Sequence, residues 1–138
     1  MTHKNPAIKA LGEVALRVRD LDAMQAFYQD VVGLDLMERF ETIAFFRIAE
    51  GFGGHTQVLA LFDRSAQAGY AAPEARRTSV DHIAFTIMLE DYAAQKARLE
   101  SLGLAVTTMT HDWVHWRSLY FFDPEGNELE FVCYDASV

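Results

Sequence analysis

Gly12-Glu13-Val14-Ala15-Leu16-Arg17-Val18 and Asp81-His82-Ile83-Ala84-Phe85-Thr86-Ile87 are two short alternating stretches whose Glu13 and His82 lie 69 positions apart. Apolar side chains recur at every second residue in both, the pattern of a half-buried strand. Each stretch leads into a helical segment and then into a Gly-Leu pair, Gly33-Leu34 and Gly103-Leu104, 70 positions apart. One residue has therefore been inserted in the second helical region. Three features in the same order indicate an internal duplication.

Leu21, Met24, Phe27, Tyr28, Val31 and Val32 recur at three- and four-residue spacing and predict a helix over residues 20–32. Asp20 or Asp22 can cap its start by accepting free backbone N–H groups, and Gly33 suits the left-handed residue that stops it. The second helix is predicted over residues 90–102, with Glu90 and Asp91 at its positive end, a weaker stripe of Tyr92, Leu99 and Leu102, and Gly103 after it. Three β-rich stretches follow each helix: residues 35–40, 43–49 and 56–63, then 105–110, 116–122 and 128–134. Turns fall at Glu50-Gly51-Phe52-Gly53-Gly54 and at Asp123-Pro124-Glu125-Gly126-Asn127. Each half reads βαβββ, and the fold class is α+β with helices on one face of the sheets. The two modules occupy about residues 10–64 and 80–135 of a single domain spanning residues 1–138. The Ala-, Arg- and polar-rich residues 65–79 form a linker with room for a short helix.

The chain has 138 residues, the size of one ordinary domain with a proper core. Twelve Lys and Arg against 20 Asp and Glu leave a net charge of −8, which argues against nucleic acid or an anionic membrane as partner. One cysteine, Cys133, permits no internal disulfide and no cysteine-based zinc site, so a reducing, cytoplasmic location is expected. The N-terminal residues lack the apolar core of a signal peptide, and no apolar run is long enough to span a bilayer. His3 is expected in a mobile tail and His55 in a turn.

Alternation assigns side chains to faces. Val14, Leu16 and Val18 point towards the helices, whereas Glu13, Ala15, Arg17 and Arg19 point away. Ile83, Phe85 and Ile87 match the first set, and His82, Ala84 and Thr86 the second. In the last strand Leu129, Phe131 and Cys133 oppose Glu128, Glu130, Val132 and Tyr134. A carboxylate within Glu128-Leu129-Glu130-Phe131-Val132 is costly to bury unless paired or bound to a metal. If the two sheets curl round one cavity, Glu13, His82 and Glu130 converge. One imidazole nitrogen with carboxylate oxygens suits Fe, Mn, Zn, Ni or Co, with positions left for substrate. The same residues also fit a plainer arrangement of solvent-exposed strand carboxylates and a hydrogen-bonded core histidine. His111-Asp112-Trp113-Val114-His115-Trp116-Arg117 packs two Trp, two His and an Arg into seven residues. Trp113 and Trp116 could stack on a flat or hydrophobic small-molecule substrate, with Arg17 or Arg117 binding an anionic oxygen. Core or dimer-interface packing of both Trp is the competing assignment.

The chain resembles the vicinal oxygen chelate superfamily, which holds glyoxalases, bleomycin resistance proteins and extradiol dioxygenases. The resemblance rests on Leu16-Arg17-Val18-Arg19-Asp20-Leu21, Ala26-Phe27-Tyr28, Val32-Gly33-Leu34, Asp81-His82-Ile83-Ala84-Phe85 and Tyr120-Phe121-Phe122-Asp123-Pro124-Glu125-Gly126-Asn127-Glu128-Leu129-Glu130. It implies paired βαβββ modules forming a cupped mixed sheet around a divalent metal ion, often completed in a homodimer. It implies ligand positions at Glu13, Ala60, His82 and Glu130. Ala60 cannot bind a metal, so three ligands remain, the number used by dioxygenases and fosfomycin enzymes, which usually carry His where this chain has Glu13. His111, Tyr120 and Glu130 follow the extradiol spacing of nine and then ten residues. The resemblance therefore implies a metal-dependent enzyme acting on a substrate with vicinal oxygens, dioxygenase-like ahead of lyase- or isomerase-like. In it Tyr120 donates to a substrate oxygen and His111 or His115 moves a proton. The rival expectation is a metal-free protein that, like the bleomycin resistance members, sequesters a ligand in aromatic grooves between subunits.

Overall fold

The computed structural model describes residues 5–138, apart from the side chain of Arg76; the expectation for His3 lies outside the described residues. The chain divides into two compact units between Ala72 and Pro73, inside the stretch expected to be a linker. Each unit is one βαβββ module built on a four-stranded mixed sheet, so the α+β class holds.

The first unit contains β1 (Glu13–Arg17), a helical segment, β2 (Asp35–Arg39), β3 (Ile43–Glu50) and β4 (Thr56–Phe62). Its strand order is β1-β4-β3-β2, with β1 parallel to β4 and the other pairs antiparallel. The helical segment starts as α1 (Leu21–Ala26), where Asp20 accepts a hydrogen bond from the Ala23 N–H at 3.0 Å. It does not stay α-helical. Residues Phe27–Val32 form a π-helix, with the Gly33 N–H reaching back five residues to the Tyr28 carbonyl. Gly33, at φ 88°, then turns the chain in a left-handed conformation that residues with a Cβ adopt only with strain. Leu21, Met24, Phe27 and Tyr28 are buried from this segment, and Tyr28 packs 6.2 Å from the Phe46 ring of β3.

The second unit repeats the plan with β5 (His82–Thr86), α2 (Tyr92–Ser101), β6 (Thr107–His111), β7 (Trp116–Phe122) and β8 (Glu128–Tyr134). The order is β5-β8-β7-β6, again with one parallel pair. A single 3-10 turn, Leu89–Asp91, leads into α2, and another, Ala75–Arg77, is the only helix in the linker among the described residues. One sheet face carries Ile83, Phe85, Leu119, Phe121, Leu129, Phe131 and Cys133, and Phe121 meets Phe131 edge-on at 5.0 Å. The α2 residue Tyr92 donates to the Ser118 carbonyl at 2.9 Å, which ties the helix to β7. Among the described residues no helix is long and apolar enough to cross a membrane.

Candidate functional site

The other face of the second sheet carries the chemistry. In the β7–β8 ladder Tyr120 stands opposite Glu130, Ser118 opposite Val132 and Phe122 opposite Glu128. In the β5–β8 ladder His82 pairs with Glu128 and Ala84 with Glu130. Alternation therefore puts His82, Ser118, Tyr120 and Glu130 on one side, away from Phe121 and Phe131.

Glu130 is 5% exposed, so it is no solvent-facing strand carboxylate. Ser118, fully buried, donates from its hydroxyl to Glu130 Oε1 at 2.5 Å, and the Tyr120 hydroxyl donates to the same oxygen at 3.2 Å. The other oxygen, Oε2, faces His82 Nε2 at 3.1 Å. On the far side of the imidazole, Nδ1 lies 2.6 Å from Asp81 Oδ1. An ionised carboxylate only accepts, so Nδ1 carries a hydrogen there. Nε2 then either carries a second hydrogen or sets a lone pair against Oε2. A proton or a metal cation between them removes that repulsion. One imidazole nitrogen and one carboxylate oxygen, with a second carboxylate orienting the ring, offer two donors of the kind divalent cations take.

Asp81 and, less strongly, Glu130 raise the His82 pKa against the opposing effect of burial. Burial raises the Tyr120 pKa, with the nearby Glu130 charge adding to it, so the phenol stays protonated at neutral pH. His111 Nε2 lies 3.0 Å from the Tyr120 hydroxyl. While that hydroxyl donates to Glu130, the His111 nitrogen is the donor of the pair. The connected line Asp81, His82, Glu130, Tyr120, His111 thus crosses the sheet from the start of β5 to the end of β6. Among the described residues no group of three His, Cys, Asp or Glu side chains is gathered closely enough to hold a metal.

The remaining candidates take no part in this hydrogen-bonded line. Glu13 and Arg17 are exposed residues of β1 in the first unit. Arg117 opposes Cys133 in the ladder and so lies on the helix-side face. Its guanidinium bonds Asp135 Oδ2 at 2.8 Å and sits 5.7 Å over the Tyr92 ring, a structural engagement away from Glu130. His115 takes a left-handed backbone at φ 57°, bonds the Val138 carbonyl oxygen through Nδ1 and stacks edge-on with Tyr134. Trp116 shares the face of Ser118 and Tyr120, and Trp113, 82% exposed, lies 6.3 Å from it ring to ring. Ser118 and Asp81 are the two members that sequence reasoning missed. The parity of Ser118 with Tyr120, and the position of Asp81 beside His82, were the available signals.

A family model described as the Glyoxalase/Bleomycin resistance protein/Dioxygenase superfamily matches residues 10–131. The chain belongs to this superfamily. Among superfamily relatives, glutathione transferase FosA from Serratia marcescens is 31% identical over 123 residues, covering 89% of this chain and 79% of that protein. A lactoylglutathione lyase from Agrobacterium tumefaciens has a crystal structure with 32% identity and a TM-score of 0.66, covering 94% of this chain and 96% of that one. A glyoxalase/dioxygenase from Nostoc punctiforme shares the fold at 22% identity with a TM-score of 0.72, covering 96% of this chain and 97% of that one.

Proposed function

We propose that this superfamily member is a divalent-metal-dependent enzyme acting on a small substrate with adjacent oxygens, with His82 and Glu130 as ligands and Glu13, at the equivalent position of the first module, as a further candidate ligand. One observation carries the reading: a buried carboxylate has one oxygen held by two hydroxyls and the other turned to an imidazole nitrogen whose ring Asp81 orients. Glu13 is supported by register, since it stands to β4 as His82 stands to β8. A bound divalent cation would polarise the substrate oxygens as a Lewis acid.

The chain's own groups supply the rest. Tyr120, held as a neutral phenol, can turn its hydroxyl to a substrate oxygen. His111, its hydrogen-bond partner, can resupply the proton. Trp116 and Trp113 offer an aromatic wall to an apolar substrate group. Arg117 and His115 are tied to Asp135 and Val138 and serve the architecture. Group transfer or lyase chemistry with a thiol such as glutathione is favoured by the names of two relatives above 30% identity. Extradiol-type ring cleavage is the second reading, favoured by the hydrogen bond between His111 and Tyr120.

Elemental analysis of protein purified without added metal, and metal-stimulated loss of free thiol with small epoxides and 2-oxoaldehydes, test the reading. It requires Glu130→Ala and His82→Ala each to abolish both metal uptake and turnover. Unchanged divalent-metal affinity in both variants removes the ligand assignment. Catechol consumption of oxygen without thiol turnover transfers the case to ring cleavage.

A further inference from the structure

We infer that Ser118 is a positioning residue that commits Glu130 to the cation through one oxygen only, with the Tyr120 hydroxyl as a second donor until it turns to substrate. The inference rests on the metal-dependent reading above and deepens it. A carboxylate has two equivalent oxygens, and a flexible one can offer both to a metal. Here Oε1 already accepts from the Ser118 hydroxyl at 2.5 Å and from the Tyr120 hydroxyl at 3.2 Å. Charge-assisted O–H···O⁻ bonds of this kind are among the stronger hydrogen bonds of a folded protein. Ser118 is fully buried, so water cannot replace it as donor. Only Oε2 is left, and it is the oxygen that faces His82. Holding Glu130 to one oxygen keeps a coordination position free for substrate.

The first module supplies an internal comparison. Ala60 pairs with Ala15 as Glu130 pairs with Ala84, and Phe45 stands opposite Ala60 as Tyr120 stands opposite Glu130. Ile43 precedes Phe45 on that face as Ser118 precedes Tyr120. Where the carboxylate is missing, both hydroxyls are missing too. Glu, Ser and Tyr in one sheet are replaced together by Ala, Ile and Phe in the other.

The test uses Mn(II) as probe on the full chain, read by calorimetry and by loss of the free-ion electron paramagnetic resonance signal. Ser118→Ala is expected to weaken Mn(II) binding by about 10- to 100-fold, as loss of an outer-shell partner does. Ser118→Thr keeps the hydroxyl and is expected to restore most of the affinity. Circular dichroism checks that both variants are folded at the assay temperature. A Mn(II)-loaded structure of the wild-type chain should show one Glu130 oxygen on the metal. Equal affinity of wild type and Ser118→Ala, equal weakening by Ala and Thr, or two Glu130 oxygens on the metal each overturns the inference while leaving the metal reading standing. Wild-type protein that binds no Mn(II) overturns both.

Discussion

Replacing Glu130 in two ways separates its role in the fold from its role as a ligand. Glu130→Gln keeps the shape and one acceptor. The amide oxygen can take the hydrogen bonds of Ser118 and Tyr120, and the amide N–H can donate to the free Nε2 of a His82 whose Nδ1 hydrogen points at Asp81. No proton or cation is then needed between them. Glu130→Ala removes the acceptor and strands the fully buried Ser118 hydroxyl. A buried hydroxyl left without a partner costs about 1–3 kcal/mol, while Tyr120 can still turn to His111. For a chain of this size that corresponds to roughly 3–10 °C in Tm. Thermal unfolding at pH 8 in a chelator should therefore rank Glu130→Gln within about 1 kcal/mol of wild type and Glu130→Ala clearly below both. Adding Mn(II) at about 100 times its Kd should stabilise wild type by about 2.7 kcal/mol and leave both variants unmoved. The reasoning fails if Glu130→Gln gains as much from Mn(II) as wild type, or if the two variants melt together.

Asp135 accepts from the Ser137 hydroxyl, the Ser137 N–H and Arg117, which together hold its carboxyl down to about 2. A depressed folded-state pKa stabilises above the unfolded value of about 4 and is lost as pH falls from there towards 2. The stability gap between wild type and Asp135→Asn, measured by urea unfolding, should be constant above pH 5 and shrink below pH 4; a gap that widens on acidification contradicts this. Phe121 is fully buried against Phe131, so Phe121→Ala should lose about 3–5 kcal/mol in the same assay. A loss under 1 kcal/mol would mean that the helix-side core of the second unit collapses readily into the space.

The helical stretches and the βαβββ repeat were legible because they follow from side-chain period and from glycines that must adopt positive φ. The π-turn at Phe27–Val32 was not. Apolar residues spaced three and four apart mark the buried side equally well for hydrogen bonds reaching back four residues or five. The cluster around Glu130 was half legible. His82 and Glu130 stood out as polar groups in apolar strands. Ser118 reads as an ordinary strand residue until the β7–β8 register sets it diagonally beside a buried carboxylate. Arg117 was grouped with its Trp and His neighbours by proximity in sequence. Parity alone separates it from Ser118 and sends it to the Cys133 side, where Asp135 waits. His115 was grouped the same way, and its left-handed backbone, which closes the turn Asp112–Val114, directs it to the end of the chain instead.

The two sheets make a further point about how such a site is lost or kept. A glutamate buried in a strand is costly unless its oxygens have donors, and hydroxyls buried beside it are costly unless they have an acceptor. The three residues are therefore coupled. In the first sheet the Ala60 surroundings are aromatic: Phe45 meets Phe40 and Phe62 edge-on at 6.1 Å each, and Arg64 lies 4.3 Å over the Phe62 ring. Ala60 is fully buried in that setting. Ala60→Glu alone should cost about 3 kcal/mol or more, because it buries a carboxylate without donors. Adding Ile43→Ser and Phe45→Tyr should return about 1–3 kcal/mol of that loss, although each hydroxyl change made on the wild-type background is itself destabilising. A mutant cycle in urea measures the coupling directly. Strictly additive losses would show that Ser, Tyr and Glu in the second sheet are neighbours without being a unit, and the internal comparison would then say nothing about Ser118.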